Sequence, residues 1–328
     1  MPAEWEPHEA TWIAWPHNED DWPGRFEPIP WVYGEIVRKL AQFERVRILL
    51  QNVEAESSAR NVLDKIGAQW EAIEFHTLET DRVWARDFAP LFVKNAAGTV
   101  AAVKWRFNGW AKYENHLRDE AAGAAIPGLT GVDWWRQEMV LEGGSVDVNG
   151  AGLLLTTEEC LLSGVQPRNP DLSREEIEAT LAEYLGLDRV LWLRNGIAGD
   201  DTHGHIDDLA RFTDRESIVI VAEEDRSDVN YEPLRENWQI ASRFGLRMRK
   251  LPMPAPVFFE AQRLPASYAN FYIANRTVLV PTFNDPNDRV ALGVLAECFP
   301  DRQVVGIHCL ELVWGLGTLH CMTQQQPA

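Results

Sequence analysis

The sequence predicts an α/β fold, and three observations carry the prediction. Amphipathic helices run directly into short apolar strands five times along the chain, further strand-length apolar runs lie between those pairs, and no apolar run is longer than a strand. With 328 residues, 45% hydrophobic and 25% charged, the chain can bury a large core. No Gly/Ser-rich linker or long charge run marks a boundary, so a single domain over 1–328 is expected.

In chain order, "WVYGEIVRKLAQF" (31–43) reads as a helix before the strand "RVRILL" (45–50), and "EAESSARNVLDKIG" (54–67) as a helix before "WEAIEF" (70–75). The strands "VAAVKW" (100–105) and "GLLLTT" (152–157) follow. "SREEIEATLAEYLG" (173–186) is the clearest helix, with Ser173 and Glu176 as a capping box and Gly186 as its stop, and "RVLWL" (189–193) comes straight after it. "SIVIVA" (217–222) is a strand. "YEPLRENWQIASRFG" (231–245) precedes "LRMRKL" (246–251), and after "TVLVP" (277–281) comes the last pair, "DRVALGVLAECF" (288–299) before "RQVVGI" (302–307). No GxGxxG or GxxxxGK[ST] loop occurs, which argues against a nucleotide-binding doubly wound sheet.

The formal net charge of -19 argues against nucleic acid, whose phosphates need a basic surface, and favours a cationic small molecule. "MPAEWEPHEA" lacks the basic start and apolar run of an export signal, and no stretch is long enough to span a bilayer. Four cysteines, at 160, 298, 309 and 321, show no CxxC pairing, so neither a zinc knuckle nor a disulfide framework is expected and a reducing cytoplasm fits.

The densest polar cluster is "GDDTHGHIDD" (199–208), two histidines and four aspartates between apolar flanks. Asp200 and Asp208, taken singly, read as turn caps. If a strand begins at 205, alternation puts His205 and Asp207 on one face as an acid/base and carboxylate pair, and Gly204 keeps His203 out of it. Three further nodes are Trp84 and Asp87 in "DRVWARDFAP", Glu142 in "LEGGSVDV", and Asn270 at the mouth of the strands in "SYANFYIANRTVLVP". Gly143 and Gly144 permit either close backbone approach or a tight turn. Cys160, Cys298 and Cys309 sit in apolar or amphipathic surroundings and read as inert core residues. Cys321, in "GLGTLHCMTQQQPA", follows two glycines that let a thiol face a site. Its neighbour His320 points the other way if the segment is a strand, which makes His205 the useful histidine.

"MPAEWEPHEATWIAWP", "WARD", "EGGS", "GDDTHGHIDD", "SYANFYIAN" and "LHCMTQQ" together resemble the agmatine deiminase and bacterial peptidylarginine deiminase family of guanidine-modifying enzymes, over essentially the whole chain. The resemblance implies a pentein α/β propeller: five ββαβ-type units with pseudo-fivefold symmetry and a central site. The spacing agrees, since Asp87, Glu142, His205, Asn270 and Cys321 are 55, 63, 65 and 51 residues apart. It also implies roles. Cys321 is the nucleophile that forms an amidino-cysteine, His205 the acid and then the base, and Asp87 and Asp207 the acceptors of the guanidinium N–H groups. Asp201 matches a substrate-contacting position, and Trp84, Glu142 and Asn270 are pocket-wall candidates. Neither a metal nor an organic cofactor is implied.

Two positions depart from the family pattern. His203 stands where T-D-G-H-I-D carries a carboxylate, and "GLGTLHC" stands where G-G-G-[NS]-x-H-C is usual. The expected reaction is hydrolysis of agmatine to N-carbamoylputrescine and ammonia, feeding polyamine synthesis, with arginine or peptidyl-arginine as the alternative substrates. Readings of other classes are a metal-dependent hydrolase using His203 and His205, and a noncatalytic binder, which retention of both cysteine and histidine disfavours. Oligomeric state is left open, with a homo-oligomer allowed.

Overall fold

Residues 1–328 are described by a computed structural model, in which one strand order recurs five times. The first sheet joins both ends of the chain. It begins with β1 (His8–Ala14), α1 (Ile29–Leu40), β2 (Arg45–Leu50), α2 (Val53–Ile66) and β3 (Ile73–Thr77), all parallel. After the short α3 (Ala85–Phe88) comes the second sheet, β4 (Leu91–Lys94), β5 (Val100–Arg106), α4 (Leu117–Thr130) and β6 (Asp133–Val140). The third is β7 (Asp147–Val148), β8 (Leu153–Thr157), α5 (Glu158–Leu161), α6 (Arg174–Leu185) and β9 (Arg189–Leu193). The fourth is β10 (Ala210–Asp214), β11 (Ser217–Ala222), α7 (Tyr231–Ala241) and β12 (Arg247–Pro252). A small hairpin, β13 (Phe258–Phe259) and β14 (Gln262–Arg263), precedes the fifth: β15 (Tyr272–Ile273), β16 (Thr277–Thr282), α8 (Asn287–Cys298) and β17 (Gln303–His308). Finally β18 (Thr323–Pro327) returns to pair antiparallel with β1.

In each of the five larger sheets one inner strand, β1, β5, β8, β11 or β16, has one antiparallel neighbour and one parallel neighbour reached through a helix. Parallel strands need such a crossover, whereas antiparallel ones close with a turn. The mixed α/β class is therefore as expected, and its helices end where their residues dictate. Ser173 and Glu176 form the capping box of α6, and Gly186 closes it in the left-handed conformation.

Two differences from expectation have local causes. Residues Trp70–Ala72 form a 3-10 turn, so β3 starts only at Ile73. A sixth helix–strand pair, α4 and β6, lay hidden because α4 carries Gly123, Pro127 and Gly128 and lacks a clear apolar stripe. Gly123 is needed there: a Cβ would lie 1.9 Å from the Phe88 carbonyl oxygen, so α4 seats directly on the backbone of α3. All four cysteines are free. No helix is long and apolar enough to cross a membrane.

Candidate active site

The functional candidates occupy one position in the repeated order, just before the antiparallel edge strand of each of the five larger sheets. Asp87 precedes β4, Glu142 precedes β7, His205 and Asp207 precede β10, Asn270 precedes β15 and Cys321 precedes β18. The chain brings all of them together. Asn270 Nδ2 lies 3.1 Å from Cys321 Sγ, which is 3.6 Å from Asp207 Oδ2. His205 Nδ1 is 3.9 Å from both Asp87 Oδ1 and Asp207 Oδ1, and its Nε2 is 3.7 Å from Glu142 Oε2.

Local backbone explains this convergence. Residues Ile206–Asp208 form a 3-10 turn rather than the strand expected from 205, and β10 begins only at Ala210. The reason is upstream. His203 (φ 63) and Gly204 (φ 96) are left-handed, and Asp200 accepts the backbone N–H groups of Thr202, Gly204 and His205. Asp200 is thus the cap it was expected to be. Asp208 is not: its carboxylate accepts the Asn270 amide at 3.1 Å, beside Cys321. Asn270 Oδ1 in turn accepts Thr318 Oγ1 at 2.8 Å and the His320 backbone N–H at 3.0 Å, tying down the loop that carries the thiol. Leu316, in that loop, is itself left-handed at φ 68, a conformation that glycine adopts at less cost than leucine.

Burial raises the Asp87 carboxyl; His205 opposes this, Asp207 and Glu142 reinforce it, and the result is about 6. Its oxygens accept the Gly144 N–H at 2.9 Å and the Trp110 indole at 2.8 Å. Burial would also raise Asp207, but His320, His205 and Arg211 hold it below the ordinary carboxylate value. Glu142, buried too, is held down at about 2 by Arg168 and His205. Burial disfavours a charged His205, yet Asp87, Cys160 and Glu142 raise it well above an ordinary histidine. Cys321 is pushed well up by burial and then by the negative charge of Asp207, Asp208 and Asp87. Both His205 ring nitrogens, Asp207 Oδ1 and Glu142 Oε2 are buried without a hydrogen bond in the chain.

A narrow cavity opens above this cluster. Cys321 and Asp87 form its buried floor, Trp84 and Trp110 its walls, and Asp201, Tyr113 and Arg82 its more exposed end. Glu142 and Asn270 do not line it: Glu142 backs His205 and Asn270 braces Cys321, because both are fully buried beneath the floor. His203 does not join His205 in a metal pair. Its ring faces Glu159 at 3.9 Å, turned away by the left-handed backbone. The residues that bring metal-ligating atoms within 4.8 Å of one another are Glu142, Cys160 and His205, so Cys160 is not the bystander its apolar flanks suggested.

Sequence reasoning also missed His320 and the segment 109–113. The His320 imidazole bridges Asp207 Oδ2 (2.7 Å) and Glu4 Oε2 (2.8 Å). Expecting a strand sent it away from the site; the segment is a turn, and β18 starts only at Thr323. Trp110 and Tyr113 carried a usable signal, two aromatics beside a glycine, but nothing linked them to a distant carboxylate.

Over residues 1–327 the chain matches the family described as Porphyromonas-type peptidyl-arginine deiminase. It is 37% identical to an agmatine deiminase of Ectopseudomonas mendocina and 35% to one of Pseudomonas aeruginosa, in each case over 100% of this chain and 95% of the relative. Among solved structures it resembles an agmatine deiminase of Enterococcus faecalis, with a TM-score of 0.92 at 33% identity over 100% of this chain and 95% of that one. A substrate-bound agmatine deiminase of C. jejuni gives a TM-score of 0.90 at 31% identity, over 99% and 95%. An amidinotransferase of Microseira wollei, 13% identical with a TM-score of 0.57 over 99% and 96%, shares the fold. With matching sequence, fold and full-length coverage, this chain belongs to the Porphyromonas-type peptidyl-arginine deiminase family, among whose members are agmatine deiminases.

Proposed function

We propose that this chain hydrolyses the guanidino group of agmatine, giving N-carbamoylputrescine and ammonia, by way of an amidino group carried on Cys321. The observation that carries the reading is the floor of the cavity, where the Cys321 thiol and the Asp87 carboxylate face the opening and the buried His205 and Asp207 lie within 4 Å of them. A guanidinium offers N–H donors in a planar fork, and Asp87 and Asp207 approach it from two sides. Its positive charge offsets the three aspartates that hold the Cys321 proton in place, so substrate arrival itself favours the thiolate.

The thiol proton leaves to solvent and the thiolate attacks the guanidinium carbon, forming a C–S bond and a neutral tetrahedral adduct. His205, charged at neutral pH, gives its proton to the departing nitrogen; the C–N bond breaks and ammonia leaves a thiouronium cation. Neutral His205 then takes a proton from water as its oxygen adds to the same carbon. Collapse breaks the C–S bond, returns the thiolate and sheds the hydroxyl proton, leaving the ureido group. Asp201 is the acceptor proposed for the substrate's far ammonium, with Trp84 flanking its methylene chain.

The recurrence of the site residues at one position in five like sheets supports a single domain built as a five-unit propeller around this site. Ammonia and ureido product measured across agmatine, arginine and arginyl peptides test the function. Turnover of agmatine that disappears in Cys321→Ala is expected; normal activity in that variant would sink the mechanism.

A further inference from the structure

Trp110, Lys112 and Tyr113 belong to one tight turn with an unusual backbone. Gly109 (φ 66), Trp110 (φ 58) and Ala111 (φ 54) are left-handed in succession, and the Asn108 side chain accepts the Ala111 N–H at 2.9 Å. Two consecutive non-glycine residues in that region are costly and persist where the surroundings enforce them. What the turn achieves is a double presentation. Trp110 Nε1 reaches Asp87 on the cavity floor, while Lys112 and Tyr113 both reach Asp201 at its open end. The Tyr113 hydroxyl donates to Asp201 Oδ2 at 2.7 Å, and the Lys112 ammonium pairs with Oδ1.

Lys112 has no other carboxylate partner, and its side chain is 42% exposed, against 15% for Asp201. It is a primary ammonium on four methylenes, standing on the acceptor at the open end of the cavity. The far end of agmatine is the same group on the same number of methylenes.

We propose that Lys112 is an internal competitor for the ammonium subsite, holding on Asp201 the place that the distal ammonium of a guanidino-alkylamine takes when it binds. The inference rests on the agmatine reading and adds to it a determinant of affinity and specificity. Tyr113 keeps its hold on Oδ2, so Asp201 stays put while one ammonium replaces another at Oδ1. Being half exposed, the Lys112 stem swings into water at little cost. A guanidine lacking a distal ammonium leaves the Lys112–Asp201 pair intact, so Lys112 affects the affinity of ammonium-bearing substrates and spares the others.

The test is calorimetric titration of agmatine and of n-butylguanidine, the same chain without its ammonium. Each is added to Cys321→Ala, and to that variant also carrying Lys112→Met or Lys112→Gln. Agmatine is expected to bind about two- to fivefold more tightly once Lys112 is neutralised, the scale of one partly exposed ion pair, with n-butylguanidine unchanged. Adding Asp201→Asn should abolish the gain. Equal tightening of both ligands would mean that Lys112 merely obstructs the entrance, and unchanged or weakened agmatine binding would overturn the proposal outright. So would arginine turnover by the parent enzyme that Lys112→Met removes, because Lys112 would then be receiving a substrate carboxylate. Failure of the parent enzyme to release ammonia from agmatine would instead sink the functional reading, and the binding comparison would still decide the role of Lys112.

Discussion

At Gly144 a single methyl group would collide with three members of the site. A Cβ there would lie 2.6 Å from His205 Nδ1, 2.9 Å from Asp87 Oδ1 and 3.1 Å from Asp207 Oδ2. In sequence, close approach and tight turn were both open at "EGGS"; the 3-10 turn Gly143–Ser145 serves the close approach. Gly144→Ala should therefore keep its fold by circular dichroism and lose about a hundredfold or more in kcat/KM, the scale of an ångström's misplacement. Asp87 yields a prediction in pH. With its carboxyl raised to about 6, it is an anion only above that pH, so kcat/KM for agmatine should fall below about pH 6, roughly tenfold per unit. For stability the same shift has the opposite consequence. The native state holds this proton more tightly than the unfolded chain, so the contribution of Asp87 declines as pH rises from about 4 to 6. A pH profile with no acid limb near 6 would rule out Asp87 as the ionised acceptor. For Cys321, crowding by aspartates makes a cationic reagent the better alkylator: 2-chloroacetamidine should inactivate faster than neutral 2-chloroacetamide at pH 7.

Among the elements, β18 shows where the sequence misleads. "TQQQP" is polar and reads as a tail, yet Thr323 to Gln326 are buried, and two of the three long amides find side-chain partners inside. Gln325 Oε1 accepts Arg86 Nη1 at 2.7 Å, and Gln326 Oε1 accepts the Trp12 indole at 3.0 Å. Antiparallel pairing with β1 holds this segment in place from Thr323 to Pro327. Gln325→Ala leaves a buried guanidinium donor unpaired and should cost about 1–3 kcal/mol, seen as a lower urea midpoint. Periodicity made the strongly amphipathic helices and the apolar strands legible. It could not show α4, where packing on backbone replaces a stripe, the short turn at 70–72, or the turn at 206–208, which is set by the hydrogen bonds of Asp200 and the left-handed His203 and Gly204. Five of the site positions became legible through the family resemblance of the motifs that carry them, with which their spacing agrees; His320, Asp208, Cys160 and Trp110 did not, because long-range contacts define their roles.

For the whole molecule, Glu4 is the residue on which separate sheets meet. Its carboxylate receives Arg211 at 2.9 Å from β10, Arg86 at 3.2 Å from α3, the Ile273 N–H at 2.8 Å from β15 and His320 at 2.8 Å from the loop before β18. Burial penalises the charge, but Arg211, His320 and Arg86 outweigh it and hold the carboxyl well below the ordinary range. A depressed carboxyl contributes stability that is complete above its unfolded value, near 4.5, and is lost as pH falls toward its native one. Glu4→Gln keeps the shape and removes the charge, leaving two buried arginines short of a partner. It should cost about 3–5 kcal/mol at pH 7 by urea denaturation, with a smaller loss at pH 3, where the parent protein is itself losing the contribution. His320 also orients Asp207, so the variant should lose kcat even at temperatures where it remains folded. Equal stability of parent and variant at pH 7 would show that the sheets are held by apolar packing alone and that the N-terminal carboxylate is dispensable to the site.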